Sequence, residues 1–455
     1  MSLEICLENT SKKNCDIQVF GLGYVGFPLS IRLASSGFNV IGIDVDSNKI
    51  ENFKKGDLVG SHLLLKNAFL HAQKNKKFVP STIPISNNIP QIAIICVPTP
   101  ISESLDESNK YVFSAVKEFL NISKKGDVII LESSIMVGTT EKIKQMIESC
   151  GFQVGIDFGL CFCPERIDPL NKKWKLENIP RIIFSYDDTT FEIAKNIYAH
   201  VNNASLTRVK SPATAEVVKS FENTFRLVNI SLVNELAMLC DKLNINVKEV
   251  IDAASTKPFG FMPFYPGAGA GGHCIPKDPK FLISAAKKLG MNFQTIENAI
   301  KVNHTIPRYI ADSIEEKILE LKLSKSVLVC GLAYKPDIED MRDSAGFRII
   351  SELKSRGVEV FASDPYYKKE LEEKYMIENN IKKIEFDIIE LENKMLERIS
   401  CLCVVQNHTK TIQRIQEVYD KSLVPFIYDC QNFLQKNPKS TTFLKGFGGI
   451  SLTGY

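Results

Sequence analysis

The chain has 455 residues, 44% apolar and 24% charged, with a formal net charge of +3. That length exceeds a single core and calls for two or three domains. The small, dispersed charge, with no basic block or aromatic-basic stripe, argues against a nucleic-acid partner. No apolar run reaches the roughly 18 residues of a spanning helix, and Met1–Asn14 is polar without a signal core, so no membrane is expected and the cytoplasm is. The 12 cysteines sit mostly in apolar strand-like runs, which reads as reduced thiols. Neither Cys161/Cys163 nor Cys401/Cys403 has partners at zinc-site spacing, so no metal is expected.

Short apolar runs alternating with amphipathic stretches predict a parallel sheet wrapped by helices over the first two hundred residues. Residues 17–20 form a strand that enters Gly21-Leu-Gly-Tyr-Val-Gly26. A helix follows to Gly37, and a second strand, Asn39–Asp44, ends in an acid. Gly21 suits the tight turn, Gly23 admits a pyrophosphate, and Gly26 lets helix and strand pack, with Tyr24 and Val25 completing the loop. The helix N-terminus favours the phosphates. Asp44, 18 residues past Gly26, can hold both ribose hydroxyls and repels a 2′-phosphate, so NAD is expected rather than NADP.

Three further strands end in polar loops: Ile92–Cys96 before Val97-Pro98-Thr99-Pro100, Val128–Leu131 before Glu132-Ser-Ser134, and Leu160–Cys163 before Pro164-Glu165-Arg166. Ligands of open α/β sheets gather at the carboxyl ends of strands, so these loops outline one cleft. From about Ala213 to Leu243, Val217, Val218, Phe221, Phe225, Val228, Leu232 and Leu236 recur near helical spacing, predicting one long helix. Lys219 and Asn223 lie four apart on it, and a Lys–Asn pair suits an anionic oxygen.

The segment Pro266-Gly-Ala-Gly-Ala-Gly-Gly-His-Cys-Ile-Pro-Lys-Asp278 places Cys274 behind a glycine-dense loop and four residues before a carboxylate. Gly267 and Gly271 allow close backbone approach to a phosphate or sugar, and a thiol there can attack a bound carbonyl. After about Pro307 the α/β alternation resumes, with strand Ser326–Cys330, the turn Gly331-Leu-Ala-Tyr-Lys335-Pro336, a helix from Ser344 and strand Val358–Ala362 near Asp364. This half lacks G-x-G-x-x-G, so it is not expected to bind a second dinucleotide.

Gly21–Gly26, Val97–Pro100, Glu132–Ser134, Pro164–Glu165, Lys219/Asn223, Gly271–Asp278 and Gly331–Pro336 resemble, in content and order, the UDP-glucose/GDP-mannose dehydrogenases. The resemblance runs from Asp16 to about Asn432. Glu165-Arg-Ile-Asp-Pro169, Asn171-Lys-Lys-Trp174, Asn178-Ile-Pro-Arg181 and Gly272-His-Cys-Ile-Pro276 look most like UDP-N-acetylglucosamine 6-dehydrogenases. Ala345 and Val137 stand where prolines are usual. Lys277 looks more like the UDP-glucose branch, and Pro169 replaces that branch's second glutamate.

The resemblance implies an α/β fold of two doubly wound Rossmann-like domains joined by a long central helix. Residues 1–15 would be an extension and 16–208 the NAD domain. Residues 209–306 would be a helical, dimerising domain carrying the cysteine loop, and 307–455 a UDP-binding domain. It implies a four-electron oxidation of the C6 hydroxymethyl of a UDP-sugar by two NAD⁺, through a Cys274 thiohemiacetal and thioester. UDP-N-acetylglucosamine is the expected substrate, with UDP-N-acetylmannosamine or UDP-glucose as alternatives. Lys219 and Asn223 would stabilise oxyanions, Asp278 and Ser134 would position water, and Glu165 would act as general acid/base. Tyr24, Pro98, Thr99 and Ser134 would flank the cofactor. Glu165, Arg166, Lys219, Asn223, Gly267, Gly271, Lys335 and Arg342 would meet the substrate, and a homodimer or higher homo-oligomer is expected.

Rival readings fit less well. A two-electron hydroxyacid dehydrogenase needs neither the thiol nor the second α/β half. An epimerase commonly carries Tyr-x-x-x-Lys, which this chain lacks. A silent nucleotide-sugar sensor has no need of Cys274, Lys219, Asn223, Glu165 and Asp278 together.

Overall fold

The computed structural model describes residues 2–58, 60–100, 108–168, 171, 173–370, 372–373 and 385–449; Pro169 and Lys172 of the motifs above lie outside them. The chain divides into two compact units, Met1–Phe221 and Glu222–Tyr455.

In the first unit β1 (Asp16–Phe20), β2 (Asn39–Ile43), β3 (Phe78–Ser81), β4 (Gln91–Ile95), β5 (Val128–Leu131), β6 (Gly159–Phe162), β7 (Arg181–Ser185) and β8 (Leu206–Arg208) form one sheet. Its order is β3-β2-β1-β4-β5-β6-β7-β8. Every residue of β1, β4, β5 and β6 is buried, as near-continuous apolar runs must be when helices cover both faces. Each aliphatic side chain so buried contributes about 1.5–3 kcal/mol. β1, β2, β4, β5 and β6 are parallel, so the loops after them emerge at one edge. β7, with β8 parallel to it, runs antiparallel to its neighbour β6, which brings the first residue of β7, Arg181, to that same edge.

The predicted first helix spans Gly26–Ser35, with Gly37 just past it at φ +103°. That left-handed geometry is nearly cost-free only for glycine. The long helix spans Pro212–Leu243, 32 residues and roughly 48 Å. Ser211 opens it by accepting a bond from the Thr214 amide. Its buried positions include Ala215, Leu227, Val233, Ala237 and Cys240, whereas Phe221, Phe225, Leu232, Leu239 and Leu243 are exposed. Part of the apolar periodicity in this helix thus belongs to an outer stripe rather than a core face.

In the second unit β9 (Ser326–Cys330), β10 (Glu359–Ser363), β11 (Asp387–Ile388), β12 (Cys401–Val404), β13 (Phe426–Asp429) and β14 (Phe443–Gly446) form a parallel sheet. Its order is β11-β10-β9-β12-β13-β14. The helix expected from Ser344 is Ala345–Ser355, with the Ser344 hydroxyl accepting from the Gly346 amide as its cap. Among the described residues no helix is long and apolar enough to cross a membrane.

Candidate active site and its relatives

The loop after β1 is shaped by what would fill it. A Cβ on Gly21 would lie 2.7 Å from the Cys96 carbonyl oxygen, and one on Gly26 only 1.9 Å from that of Gly21; on Gly23 it would meet nothing within 4 Å. The outer two glycines are therefore demanded by the backbone, and the middle one faces open space where a diphosphate can approach. Asp44, just past β2, accepts from the Leu22 amide at 3.0 Å and the Asp46 amide at 3.1 Å, and pairs with Lys49 at 2.7 Å. These residues fit an adenosine diphosphate with its ribose at Asp44. Tyr24 is 47% exposed beside His62, whose ring sits 4.5 Å from that of Phe27. Burial, and then Lys49, lower the His62 imidazole to about 4.

Along the same edge, Ser133 donates to the Val97 carbonyl at 2.7 Å and so fastens the β5 loop to the β4 loop. Ser134 is half-buried beside it, Thr99 is buried and Pro98 exposed. Glu216, buried in the long helix, accepts from the Gly138 amide at 2.6 Å and from the Thr140 amide and hydroxyl at 2.8 and 2.7 Å. The helix that carries Lys219 is thereby tied to the end of the Ser134 loop. Glu165 accepts from the amides of Arg166 and Ile167 at 2.6 and 2.7 Å and pairs with Arg181. Arg166 donates from its side chain to the Pro180 carbonyl at 2.8 Å.

In the second unit Cys274 is the first residue of the helix Cys274–Lys288, where the N-terminal partial charge favours an anion. It is one of two exposed thiols; the other, Cys150, caps the C-terminus of Thr139–Ser149, where the dipole has the opposite sense. One turn further, Asp278 accepts from the Asn223 amide at 2.6 Å, which uses one of the two N–H bonds of that nitrogen. Lys277 is 1% exposed, with its ammonium 3.3 Å from Asp278. Burial, then Lys277 and Arg342, hold the His273 imidazole well below its usual range, so it is neutral beside the thiol.

The glycine loop is clamped by five residues. Asn234 accepts from the Gly267 amide at 3.0 Å, and Asn303 both accepts from and donates to Ala270, at 2.7 and 2.9 Å. A Cβ on Gly271 would strike the Asp343 carbonyl at 2.6 Å, and one on Gly272 the Tyr334 ring at 2.7 Å. The Gly272 amide also donates to the Arg342 carbonyl at 2.9 Å, while the Arg342 guanidinium pairs with Asp340 at 2.6 Å. The cysteine loop, the Lys335 turn and the Arg342 segment are thus one packed assembly.

That turn repeats the architecture of the first nucleotide loop with a different outcome. Asp364, after β10, accepts from the Leu332 and Ala333 amides at 2.6 and 2.9 Å, as Asp44 does from Leu22. The buried His408 completes it: Nδ1 accepts from the Asp337 amide at 2.9 Å, so Nε2 carries the proton and donates to Asp364 at 3.0 Å. Burial pushes the Asp364 carboxyl up, but His408 and the Ala333 and Tyr366 amides outweigh it and hold it below the usual range.

Arg181, Asn234 and Asn303 were not singled out as site residues in the sequence. Their partners lie far off in the chain, and only the antiparallel turn of β7 and the packing of two helices bring them in.

Three domain signatures of the UDP-glucose/GDP-mannose dehydrogenase family match the chain: the NAD binding domain over residues 15–202, the central domain over 213–305 and the UDP binding domain over 328–436. A UDP-N-acetyl-D-mannosamine dehydrogenase of Methanococcus aeolicus is 35% identical over 80% of this chain and 81% of its own. A UDP-N-acetyl-D-glucosamine 6-dehydrogenase of Pseudomonas aeruginosa is 29% identical over 79% and 84%. The solved UDP-D-ManNAc dehydrogenase of Pyrococcus horikoshii superposes with a TM-score of 0.81 at 28% identity, covering 95% of this chain and 99% of that one. With its nucleotide loop, cysteine loop and two α/β sheets accounted for, this chain belongs to the UDP-glucose/GDP-mannose dehydrogenase family and is an NAD-dependent nucleotide-sugar dehydrogenase.

Proposed function

We propose that the enzyme oxidises the C6 hydroxymethyl of a UDP-N-acetylhexosamine to the carboxylate in two steps, with the carbon held on Cys274 in the second. The observation that carries this reading is Cys274 at a helix N-terminus, one turn before an Asp278–Asn223 pair at 2.6 Å. NAD⁺ supplies the hydride acceptor for both oxidations. Gly21, Gly23 and Gly26 with the amides of Tyr24 and Val25 would hold its diphosphate, Asp44 its ribose, and Pro98, Thr99 and Ser134 would flank its far end.

Cys274 attacks the C6 aldehyde as thiolate, giving a thiohemiacetal and then a thioester. Lys219 and the remaining N–H of Asn223 stabilise the oxyanion at C6, a task worth about 3–4 kcal/mol per donor. Asp278 fixes the Asn223 amide and, with Ser134, orders water. Glu165 takes the proton of the water that hydrolyses the thioester. Gly267, Gly271, Lys335, Arg342 and Arg166 hold the nucleotide sugar.

The mannosamine epimer is the leading reading, supported by the 35% identity to the Methanococcus aeolicus UDP-N-acetyl-D-mannosamine dehydrogenase. UDP-N-acetylglucosamine is the second reading, supported by the motif Glu165-Arg-Ile-Asp and the 29% identical Pseudomonas enzyme. The outer apolar stripe of the long helix fits a second copy of this chain, and ten cysteines that are not exposed, all unpaired, suit the reducing cytoplasm.

The test is NADH formed per sugar consumed, with UDP-N-acetylmannosamine, UDP-N-acetylglucosamine, UDP-glucose and GDP-mannose offered separately. Two NADH per sugar are expected with an N-acetylhexosamine. Cys274→Ser is expected to bind both ligands and yield no carboxylate; a variant with unimpaired carboxylate production would overturn the covalent route.

A further inference from the structure

The carboxyl edge of the first sheet buries more charge than stability calls for. Arg181 is 1% exposed and lies between two carboxylates, Glu132 at 3.1 Å and Glu165. The β6–β7 register, Phe162 opposite Phe184, sets Glu165 across from Arg181. The Tyr198 ring lies 4.6 Å from the guanidinium, and its hydroxyl donates at 2.5 Å to the Glu132 oxygen that Arg181 also contacts. Buried ion pairs seldom add net stability over an apolar filling of the same volume, so a geometric role is the better account of this one.

Glu165 receives three donors: two backbone amides on one oxygen and Arg181 on the other. A carboxylate has about four acceptor sites, so this leaves one for a further donor. Resting on the assignment of Glu165 to thioester hydrolysis, we propose that Arg181 is its positioning residue. Glu132 and Tyr198 hold the guanidinium, and Glu165 presents its remaining lone pair to the hydrolytic water. In that step the water oxygen bonds to the thioester carbon and the C–S bond breaks. Glu165 takes the water proton, and the Cys274 sulfur leaves with the electron pair. No electrons are exchanged with a cofactor.

The same geometry makes the cluster respond to pH. Both carboxylates ionised against one guanidinium leave a net negative charge. Burial, opposed by Arg181 and reinforced by Glu165, pushes Glu132 up to about 7. A proton on Glu132 therefore leaves the Arg181 charge to Glu165. The other groups facing the cluster, Cys163, Cys96 and Tyr198, are all raised by burial and stay neutral.

The experiment compares Glu165→Gln, Arg181→Lys and Glu132→Gln in the full-length enzyme with NAD⁺ and UDP-N-acetylmannosamine, or UDP-N-acetylglucosamine if it turns over faster. Rapid mixing follows NADH, and acid quench with intact-mass analysis follows the acyl adduct on Cys274. Lysine keeps the charge but loses the two-pronged fork. Arg181→Lys is expected to give a burst of two NADH per site, hydrolysis slowed about 100-fold, a persistent adduct and little change in sugar KM. Glu132→Gln keeps the oxygen that Arg181 and Tyr198 contact, and it is expected to flatten the pH dependence of hydrolysis near neutrality.

Adduct in Glu165→Gln with none in Arg181→Lys overturns the positioning role and spares the Glu165 assignment. No adduct in Glu165→Gln overturns that assignment itself. Should Arg181→Lys fail to fold, Glu132→Gln decides: a wild-type pH profile for hydrolysis overturns the proposal.

Discussion

Alanine at Gly23 and at Gly26 should fail in opposite ways. At Gly26 the added carbon would sit 1.9 Å from the Gly21 carbonyl oxygen and 3.1 Å from the Cys96 side chain. The oxygen would have to retreat by about 1 Å, and it is backbone held inside a turn, so the strain is of the overpacking kind, about 1–3 kcal/mol or more. Gly26 opens the helix Gly26–Ser35, so alanine recovers up to about 1 kcal/mol of helix propensity, which does not offset a displaced backbone. Gly23 has no positive φ and no neighbour within 4 Å, so its alanine should leave the free protein within about 0.5 kcal/mol of wild type. It should instead weaken NAD by standing where the diphosphate comes close. Urea melts of the free protein and calorimetric NAD titration separate the two effects. A Gly23→Ala protein as destabilised as Gly26→Ala, or one that binds NAD like wild type, would refute the reasoning.

His62 should make stability depend on pH. Burial and Lys49 lower it from 6.5 to about 4, so within that window the unfolded chain binds a proton that the folded chain refuses. The stabilisation is present above the unfolded value and is lost as pH falls through the folded one. It should amount to about 1–2 kcal/mol after solvent screening. Urea melts across the window should show a shallower rise of stability with pH in His62→Phe, which keeps the contact with Phe27, than in wild type; equal slopes would remove His62 as a source. Leu232 and Leu239 are 62% and 54% exposed on the long helix, so Leu232→Lys with Leu239→Lys should convert a dimer to a monomer in light scattering. A wild type already monomeric at working concentration would end the dimer reading.

What was legible in the sequence was local. Gly21, Gly23, Gly26 and Asp44 can be read because a strand, a turn, a helix and a second strand follow within thirty residues, and the structure supplies each in turn. The helix from Ser344 was legible for the same reason, and the structure adds the Ser344 hydroxyl as its cap. Direction of exposure was not: Phe221, Phe225 and Leu232 keep helical spacing whether the stripe meets a core or solvent. Nor was β7, whose Arg-Ile-Ile-Phe-Ser carries no mark of running antiparallel, although that reversal alone brings Arg181 to Glu165. Lys277 was visible as a branch difference, but its burial against Asp278 depends on the turn of the cysteine helix.

Asp44 and Asp364 begin from the same position in two like folds and end in different employment. Asp44 keeps an edge open to solvent, with a lysine as its companion. Asp364 has its carboxylate wholly enclosed by amides and His408. Grafting the missing glycines into Gly331–Pro336 would therefore not produce a second dinucleotide reader. The carboxylate that would meet the ribose is already committed to the turn itself, and freeing it would unfasten the loop that bears Lys335.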